Sequence, residues 1–429
     1  MEPPAEEMVV AVHDTSHVPG SLATDKLSYE IFSILESKFL FGYTTHHPDF
    51  FHIPRNLSPV SSPPKRSPCK VCILSIDGAG LRCVLAAKAL AHLEECLQSI
   101  SGNAHARISD FFDLVAGSGS GGVLAGMLLE PEKAFRPDDM CRFLVDRASI
   151  LFPKPNKLKS FFTKKPLKGP TSAMERTMKE AFGENASLRD AIKPLLVPCY
   201  DLNTSGPFVF SRADAIESES FNFRLWEVGR ATWAEPGRFE PAFVRSCNGG
   251  ISCFAMSCHV MSNPCAVAIT HVLNNKKEFP FVKGVENLLV LSLGCGCMES
   301  CRSSVDQVDL RKVRKWEADK WAQPVARVVA DGAADFIDQS VAMAFGQCQS
   351  SGYVRIQGNC SGTGVIGSDA DCDPRPENIK TLLRAAEGML RQKHVESVLF
   401  EGKRVGERTN MEMLDLFARD LVQEHHNRF

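Results

Sequence analysis

Apolar and polar positions alternate between two patterns along most of the chain. Short apolar runs bounded by turn-forming residues predict buried strands. These runs are 71–76, 111–116, 195–200, 208–210 and 288–296. Longer stretches with apolar residues every three or four positions predict helices. These stretches are 84–98, 122–130, 136–150 and 171–182. Alternating strands and helices predict an α/β fold, with a mostly parallel sheet covered by helices on both faces.

The two ends of the chain differ from this middle part. Residues 1–68 are predicted to be an N-terminal extension with an amphipathic helix over 25–43, followed by a linker that holds five prolines and four serines over 52–68. Residues 69–300 form the predicted core. Residues 301–429 are predicted to be a helical C-terminal part of the same domain. Its helical patterns are 306–345, a stretch from Pro376 and a stretch from Met411 to Glu424.

Composition narrows the class of protein. The chain has 429 residues, 44% hydrophobic and 23% charged, with a net charge of −2, which is typical of a soluble globular protein without a basic field for nucleic acid. Its start is acidic and lacks an apolar signal core, so we expect a cytoplasmic protein, not a secreted one, with its 16 cysteines reduced. The pair Cys69 and Cys72 has no second pair at zinc-ribbon spacing. We therefore expect no metal and no cofactor.

A glycine-rich turn follows the second predicted strand. Residues 117–121 read Gly-Ser-Gly-Ser-Gly, between an apolar run and a helical pattern. In hydrolases with the pattern G-x-S-x-G, this turn presents a nucleophilic serine at its apex. Here the apex is Gly119, which has no side chain. The turn thus predicts a hydrolase architecture without the usual nucleophile.

Two further segments contain turns of similar character. The first predicted strand runs into Asp77-Gly78-Ala79-Gly80-Leu81-Arg82-Cys83, and glycines at such a turn bring backbone N–H groups to an anion site. Downstream, Ser262-Asn263-Pro264 precedes a helical pattern and another apolar strand. The carboxyl ends of parallel strands meet at one edge of a sheet. The glycine turns after the first and second predicted strands, 77–83 and 117–121, are therefore expected to share a cleft.

These three blocks, in this order, resemble the patatin-related lipid acyl hydrolases of plants. The segment 32–43 further resembles the N-terminal extension of group III of that family, whose members have glycine at the apex. The resemblance covers roughly residues 25–400 and implies a patatin-like α/β fold. It also implies deacylation of phospholipids or galactolipids, with membrane lipids as partners and peripheral contact with membranes.

The resemblance also implies a Ser–Asp dyad and an oxyanion hole. The nucleophile position corresponds to Gly119. The base position lies seven residues before Asn263 and corresponds to Met256, which cannot accept a proton. The oxyanion hole corresponds to Gly78, Ala79, Gly80 and Arg82, where the family has glycine in place of Ala79 and Cys83. An alanine preserves the backbone N–H group, provided that its φ is negative.

Four residues are possible substitutes for the missing pair. Ser118 and Ser120 flank the apex, but they are expected to point aside and bond turn backbone. Asp331 begins an Asp-Gly-Ala string, although a helix-start aspartate is the simpler interpretation. His259 lies near the lost base, and its alternative is a loop histidine without a role.

One segment is a candidate for contact with a membrane surface. Residues 152–169 hold six lysines and no acidic residue, mixed with aromatic residues and prolines. Lysines near an anionic lipid surface each contribute roughly 1 kcal/mol. The alternative is a solvated loop. The membrane-surface candidates are Lys154, Lys157, Lys159, Phe161, Phe162, Lys164 and Lys165.

Three hypotheses about the function remain open from the sequence. One is a lipid acyl hydrolase with a degraded dyad and weak or unorthodox activity. The other is a catalytically inactive protein that keeps the lipid cleft and binds without chemistry. A storage-like protein with neither role is a third reading.

Overall fold

The computed structural model describes seven stretches of the chain. They are 69–133, 135–153, 167–296, 318–347, 352–358, 370–398 and 402–428, all within the unit Arg66–Phe429. The strands are β1 (Val71–Ile76), β2 (Leu114–Gly117), β3 (Leu195–Asp201), β4 (Gly206–Ser211), β5 (Ala242–Arg245), β6 (Ser252–Met256), β7 (Leu288–Leu293), β8 (Tyr353–Ile356), β9 (Lys393–Val398) and β10 (Gly402–Thr409). The helices are α1 (Val84–Ser101), α2 (Ile108–Phe111), α3 (Gly119–Leu128), α4 (Pro137–Leu151), α5 (Lys168–Phe182), α6 (Arg212–Glu217), α7 (Leu225–Thr232), α8 (Cys265–Asn274), α9 (Ala318–Gln347), α10 (Pro376–Arg391) and α11 (Asn410–Arg428).

The central sheet is parallel in its middle and antiparallel at one side. Its order is β5-β6-β3-β2-β1-β7-β8, and β4 pairs with β3. Strands β3, β2, β1, β7 and β8 run parallel to one another, whereas β4, β5 and β6 join by antiparallel pairing. Strands β9 and β10 form a separate antiparallel hairpin. The predicted fold class, a mostly parallel sheet in an α/β protein, is confirmed.

Helices cover both faces of the sheet. Successive side chains of a strand point to opposite faces, so β1 contributes to two cores. Leu74 and Ile76 belong to the core shared with α1, α4, α10 and α11, while Ile73 belongs to the core shared with α8 and α9. Because both faces are covered, the inner strands β1 and β7 are apolar except for one serine each, as the continuous runs in the sequence indicated.

Several element boundaries differ from the sequence prediction. The strand predicted over 111–116 is shorter, because Phe111 is the last residue of the short helix α2. The start of α2 is capped by the Asp110 carboxylate, which accepts a hydrogen bond from the Arg107 N–H at 2.8 Å. The helix predicted to begin at residue 122 begins at Gly119, so the glycine turn is already its first turn.

Some predictions fall on residues outside the described stretches. These are the extension and linker over 1–68, residues 306–317 of the helical pattern, and all seven membrane-surface candidates from Lys154 to Lys165. The part predicted to be helical, 301–429, also carries β8 and the β9–β10 hairpin. Within the described stretches, no helix is both long and apolar enough to cross a bilayer.

Candidate active site

A cavity of about 520 Å³ lies where β1 and β2 end, between the two glycine turns that follow these strands. Its walls combine backbone of both turns with charged, aromatic and small side chains. The lining residues are Gly78, Ala79, Gly80, Arg82, Ser118, Gly119, Ser120, Trp233, Glu235, Pro236, Gly237, Arg238, Ser257, Cys258, His259, Ser262, Ala326, Ala330, Asp331 and Asp371. The shared cleft predicted from the two turns is therefore present.

The turn after β2 has the backbone of a nucleophile elbow. Gly119 adopts a left-handed φ of +54°, and its N–H donates to Thr232 Oγ1 at 2.9 Å. Thr232 in turn donates to the Pro198 carbonyl at 2.9 Å, so one hydroxyl of α7 ties the apex to β3. A Cβ atom at Gly119 would lie 3.4 Å from its nearest neighbour, the Gly78 Cα, which is ordinary contact. The apex thus has room for a side chain that the sequence does not supply.

The turn after β1 tolerates its alanine for a simple reason. Ala79 has a negative φ of −153°, outside the left-handed region that favours glycine, so no glycine is required there for a positive φ. The left-handed position is the next one, Gly80, at φ +55°. At Gly78 a glycine is required because the backbone of the other turn lies too close for a side chain: a Cβ there would lie 2.2 Å from the Ser118 carbonyl oxygen. Both retained glycines are the positions that need glycine.

The backbone N–H groups of this turn are partly engaged. The Gly78 N–H donates to the Ser262 carbonyl at 3.3 Å, and the Leu81 N–H donates to the Asp371 carbonyl at 2.8 Å. The Ala79 N–H donates to Ser120 Oγ at 3.2 Å. Among the described residues, the Gly80 N–H has no hydrogen-bond acceptor. One amide of the turn is therefore open to an anion, and a second is covered only by a serine hydroxyl.

Ser120 belongs to a buried network beneath the turn. Its hydroxyl donates to Cys83 Sγ at 3.0 Å, and Cys83 Sγ lies 3.3 Å from Cys295 Sγ. Both thiols also contact the Asp77 carbonyl, at 3.1 and 3.2 Å. The hydrogen bond with Cys83 and burial raise the pKa of Cys295 well above its usual range. The Ser120 hydroxyl is therefore engaged with the Ala79 N–H and the Cys83 thiol, and Cys83 stands where the sequence comparison with the family expects a glycine.

A buried ion pair anchors the start of the turn. Asp77 accepts two hydrogen bonds from Arg355 on β8, at 3.0 and 2.5 Å, and Arg355 also donates to Ser292 of β7 at 2.7 Å. Arg82 Nη1 reaches the Gly296 carbonyl beyond β7 at 2.9 Å. The sequence analysis missed Arg355. A single arginine inside the apolar run 353–356 was the available signal, because a charge in a buried strand requires a partner.

The residue predicted at the base position lies outside the cavity lining. Met256 ends β6 and is not among the cavity-lining residues, which begin on this side with Ser257. All four possible substitutes line the cavity: Ser118 and Ser120 from the glycine turn, His259 from a short 3₁₀ turn and Asp331 from α9. Asp331 lies inside α9, so its interpretation as a helix-start aspartate is wrong. The Ser262 hydroxyl donates to the Ala330 carbonyl at 3.0 Å, which joins the elements that carry the two groups.

A charged cluster also lines the cavity. Arg238 lies 3.2 Å from Glu235 and 3.6 Å from Asp371, measured between nitrogen and carboxylate oxygen. Burial opposes the charge of Arg238, but these two carboxylates outweigh it and raise the pKa of Arg238. Within the part of the chain that the structure describes, no set of converging metal ligands lines the cavity.

Known proteins place this architecture in a family. The family profile described as Patatin-like phospholipase matches residues 74–257, which include both glycine turns. Patatin-like protein 7 of Arabidopsis thaliana is 51% identical over 414 residues, covering 95% of this chain and 83% of that protein. Patatin-like protein 6 of the same plant is 48% identical over 443 residues, covering 95% and 86%. The protein named Probable inactive patatin-like protein 9, also from Arabidopsis thaliana, is 41% identical over 363 residues, covering 82% and 86%.

An α/β fold with a cavity between two glycine turns, together with these identities, defines the class. The chain belongs to the patatin-like phospholipase family.

Proposed function

We propose that the chain is a lipid acyl hydrolase that deacylates phospholipids or galactolipids in this cavity, with water as the nucleophile. The observation that carries the proposal is that the two glycine turns lie side by side at the cavity. The apex Gly119 lies beside Gly78, at the edge of a cavity that also holds the open Gly80 amide. This is the arrangement of an acyl-transfer site with space where a serine side chain would stand.

In this proposal the ester carbonyl lies above Gly119, with its oxygen toward the 78–80 turn. A water molecule over the apex attacks the carbonyl carbon and passes a proton to a base on the cavity wall. The tetrahedral oxyanion is held by the Gly80 N–H and, once Ser120 turns away, by the Ala79 N–H. The C–O bond of the ester then breaks, the leaving alcohol takes the proton, and a fatty acid and a lysolipid are formed.

Two groups on one wall can serve as the base. His259 and Asp331 both line the cavity, on elements joined by the bond between Ser262 and Ala330. An imidazole or a carboxylate in a cleft can accept a proton from water near neutral pH, and such general-base catalysis contributes typically 10²–10⁴-fold. Neither group corresponds to the dyad aspartate of the family.

Lipid reaches the cavity, in this proposal, over an apolar strip of α9. Trp321, Val325 and Val329 recur every four residues on one face of that helix and are 43%, 50% and 38% exposed. Ala326 and Ala330, on the neighbouring face, line the cavity. An exposed apolar face beside an acyl-binding cavity suits the surface of a bilayer. Contact through the lysine-rich segment 154–165 and membership of group III stay predictions.

Fatty-acid release from phosphatidylcholine and from galactolipid vesicles tests the activity. We expect the native protein to release fatty acid from at least one vesicle type, with the activity destroyed by heating. We expect Asp331→Asn or His259→Gln to lower the rate by at least 10²-fold. Full activity in both variants would refute the assignment of the base.

Vesicle co-sedimentation tests the approach to the membrane. Val325→Asp places a charge on the apolar strip, and Val405→Asp places one on hairpin β9–β10, where Val405 is 62% exposed. We expect only the first variant to lose binding. Equal binding by both would refute the role of α9.

A second function is supported by a specific observation. Neither Gly119 nor Met256 can perform the chemistry of the family dyad, and a relative that is 41% identical is named probable inactive. The second proposal is therefore a protein that binds lipid in the cavity without hydrolysing it. Vesicle binding with no fatty-acid release by the native protein would favour this function.

A further inference from the structure

Three side chains of different chemistry converge between α1 and α11, away from the cavity wall. His92 Nε2 lies 2.8 Å from Asp415 Oδ1, and Cys96 Sγ lies 3.0 Å from the same oxygen. The distance between Cys96 Sγ and His92 Nε2 is 3.4 Å. One nitrogen, one sulfur and one oxygen thus surround a single point.

The helices hold these donors in place. His92 and Cys96 are four residues apart on α1 and therefore share one face of the helix. Next to them Leu93 and Leu97 are fully buried, and Leu414 beside Asp415 is fully buried on α11. The packed apolar residues fix the backbones from which the three polar groups project. The side chains of His92 and Asp415 are 20% and 40% exposed, so an ion in solution can reach them.

The spacing fits a tetrahedral metal ion. With zinc–ligand bonds of about 2.0–2.3 Å, tetrahedral geometry separates neighbouring donor atoms by about 3.3–3.6 Å. The observed separations of 2.8–3.4 Å require an expansion of only a few tenths of an ångström. Small rotations of the three side chains provide such an expansion without movement of either helix.

The donor set also selects the type of metal. Thiolate and imidazole favour zinc over Mg²⁺ or Ca²⁺, which prefer oxygen ligands. A thiolate and a carboxylate together balance the charge of a divalent ion. Three protein ligands leave the fourth tetrahedral position to water.

We propose that His92, Cys96 and Asp415 form a zinc-binding site that joins α1 to α11. On binding, the Cys96 thiol loses its proton to solvent and the sulfur becomes a zinc ligand. The imidazole binds as its neutral form through Nε2. The site is independent of the proposed hydrolysis. It would stabilise the helix that begins directly after the 77–83 turn.

Titration of the metal-stripped, full-length protein with Co²⁺ tests the site. Tetrahedral Co²⁺ bound to a thiolate gives a sulfur-to-metal charge-transfer band and visible absorption, and Zn²⁺ should displace it. We expect both signals in the native protein at one equivalent of metal.

Variants distinguish this site from the other thiols of the chain. We expect Cys96→Ser to lose the charge-transfer band. We expect Asp415→Asn to weaken binding by at least the 10–100-fold that the loss of an outer-shell partner causes. Cys247→Ser is the matched control, because it removes an exposed thiol from the loop between β5 and β6. We expect this control to bind as the native protein does.

A thermal unfolding scan provides a second readout. We expect Zn²⁺ to raise the unfolding temperature of the native protein and of Cys247→Ser, but not that of Cys96→Ser. Persistence of the charge-transfer band in Cys96→Ser, or absence of tetrahedral Co²⁺ absorption from the native protein, would overturn the proposal.

Discussion

Gly80 combines two obstacles to a side chain in the cavity turn, a left-handed backbone and a close backbone neighbour. Its φ is +55°, and a left-handed backbone costs an L-residue about 1–2 kcal/mol. A Cβ there would also lie 2.2 Å from the Asp371 carbonyl oxygen. Crowding of this kind typically costs about 1–3 kcal/mol. We therefore expect Gly80→Ala to lower the free energy of unfolding by roughly 2–5 kcal/mol.

Gly102→Ala is the matched control for this prediction. Gly102 also has a left-handed φ, +68°, but a Cβ there would meet nothing within 4 Å. Both variants gain the same advantage from a less flexible unfolded chain, so the difference between them isolates the collision. We expect that difference to be about 1–3 kcal/mol.

Urea unfolding of the two variants and the native protein measures these free energies. Gly80→Ala should also disturb the bond between the Leu81 N–H and the Asp371 carbonyl, now 2.8 Å long, and so reduce lipid binding by the cavity. Free energies of unfolding that agree within about 0.5 kcal/mol for the two variants would refute the reasoning, because the control carries the backbone strain alone.

The remaining predictions concern groups around the same turns. Thr232→Val removes a hydroxyl that serves two buried backbone groups, so urea unfolding should show a loss of about 1–3 kcal/mol, whereas Thr177→Val removes one that bonds only within its own helix and should lose less. Arg355→Met leaves the Asp77 carboxylate buried without its ion pair, so unfolding should show a loss of about 3–5 kcal/mol, and a loss below about 1 kcal/mol would contradict the role of the pair. Ser120→Ala uncovers the amide at the centre of the turn, so fatty-acid release should rise, by up to the roughly 10²-fold that one oxyanion donor contributes. An unchanged rate in this variant would exclude that amide from the oxyanion hole.

The strand and turn patterns were readable from the sequence because their causes are local. The run 71–76 alternates between two buried faces and is entirely apolar but for one serine, and it forms β1 with the predicted bounds. The glycine at position 119 is likewise a property of one position. The tolerance of Ala79 was left open by the sequence, and the backbone resolves it: the left-handed residue is Gly80.

The support of the site could not be predicted from local pattern. Thr232, whose hydroxyl accepts a hydrogen bond from the Gly119 N–H, is 113 positions away along the chain. Arg355 is 278 positions from its partner Asp77. Such partners become known only when the sheet order and the packing of α7 against it are known. The position of Asp331 in the cavity wall depends in the same way on how α9 packs against the turn at Asn263. The Asn263 side-chain amide donates a hydrogen bond to the Ala334 carbonyl of α9 at 3.4 Å.

The central claim is that a water molecule over Gly119 deacylates lipid. The most direct test is fatty-acid release from phosphatidylcholine and galactolipid vesicles by the native protein and by Gly119→Ala, with Gly102→Ala as the control for backbone strain. The added methyl group occupies the space above the apex, 3.4 Å from the Gly78 Cα, without filling the cavity. The account predicts release by the native protein and by the control, and a loss of about 10²-fold in Gly119→Ala, because the water is displaced. No release by the native protein, or equal release by Gly119→Ala, would contradict it.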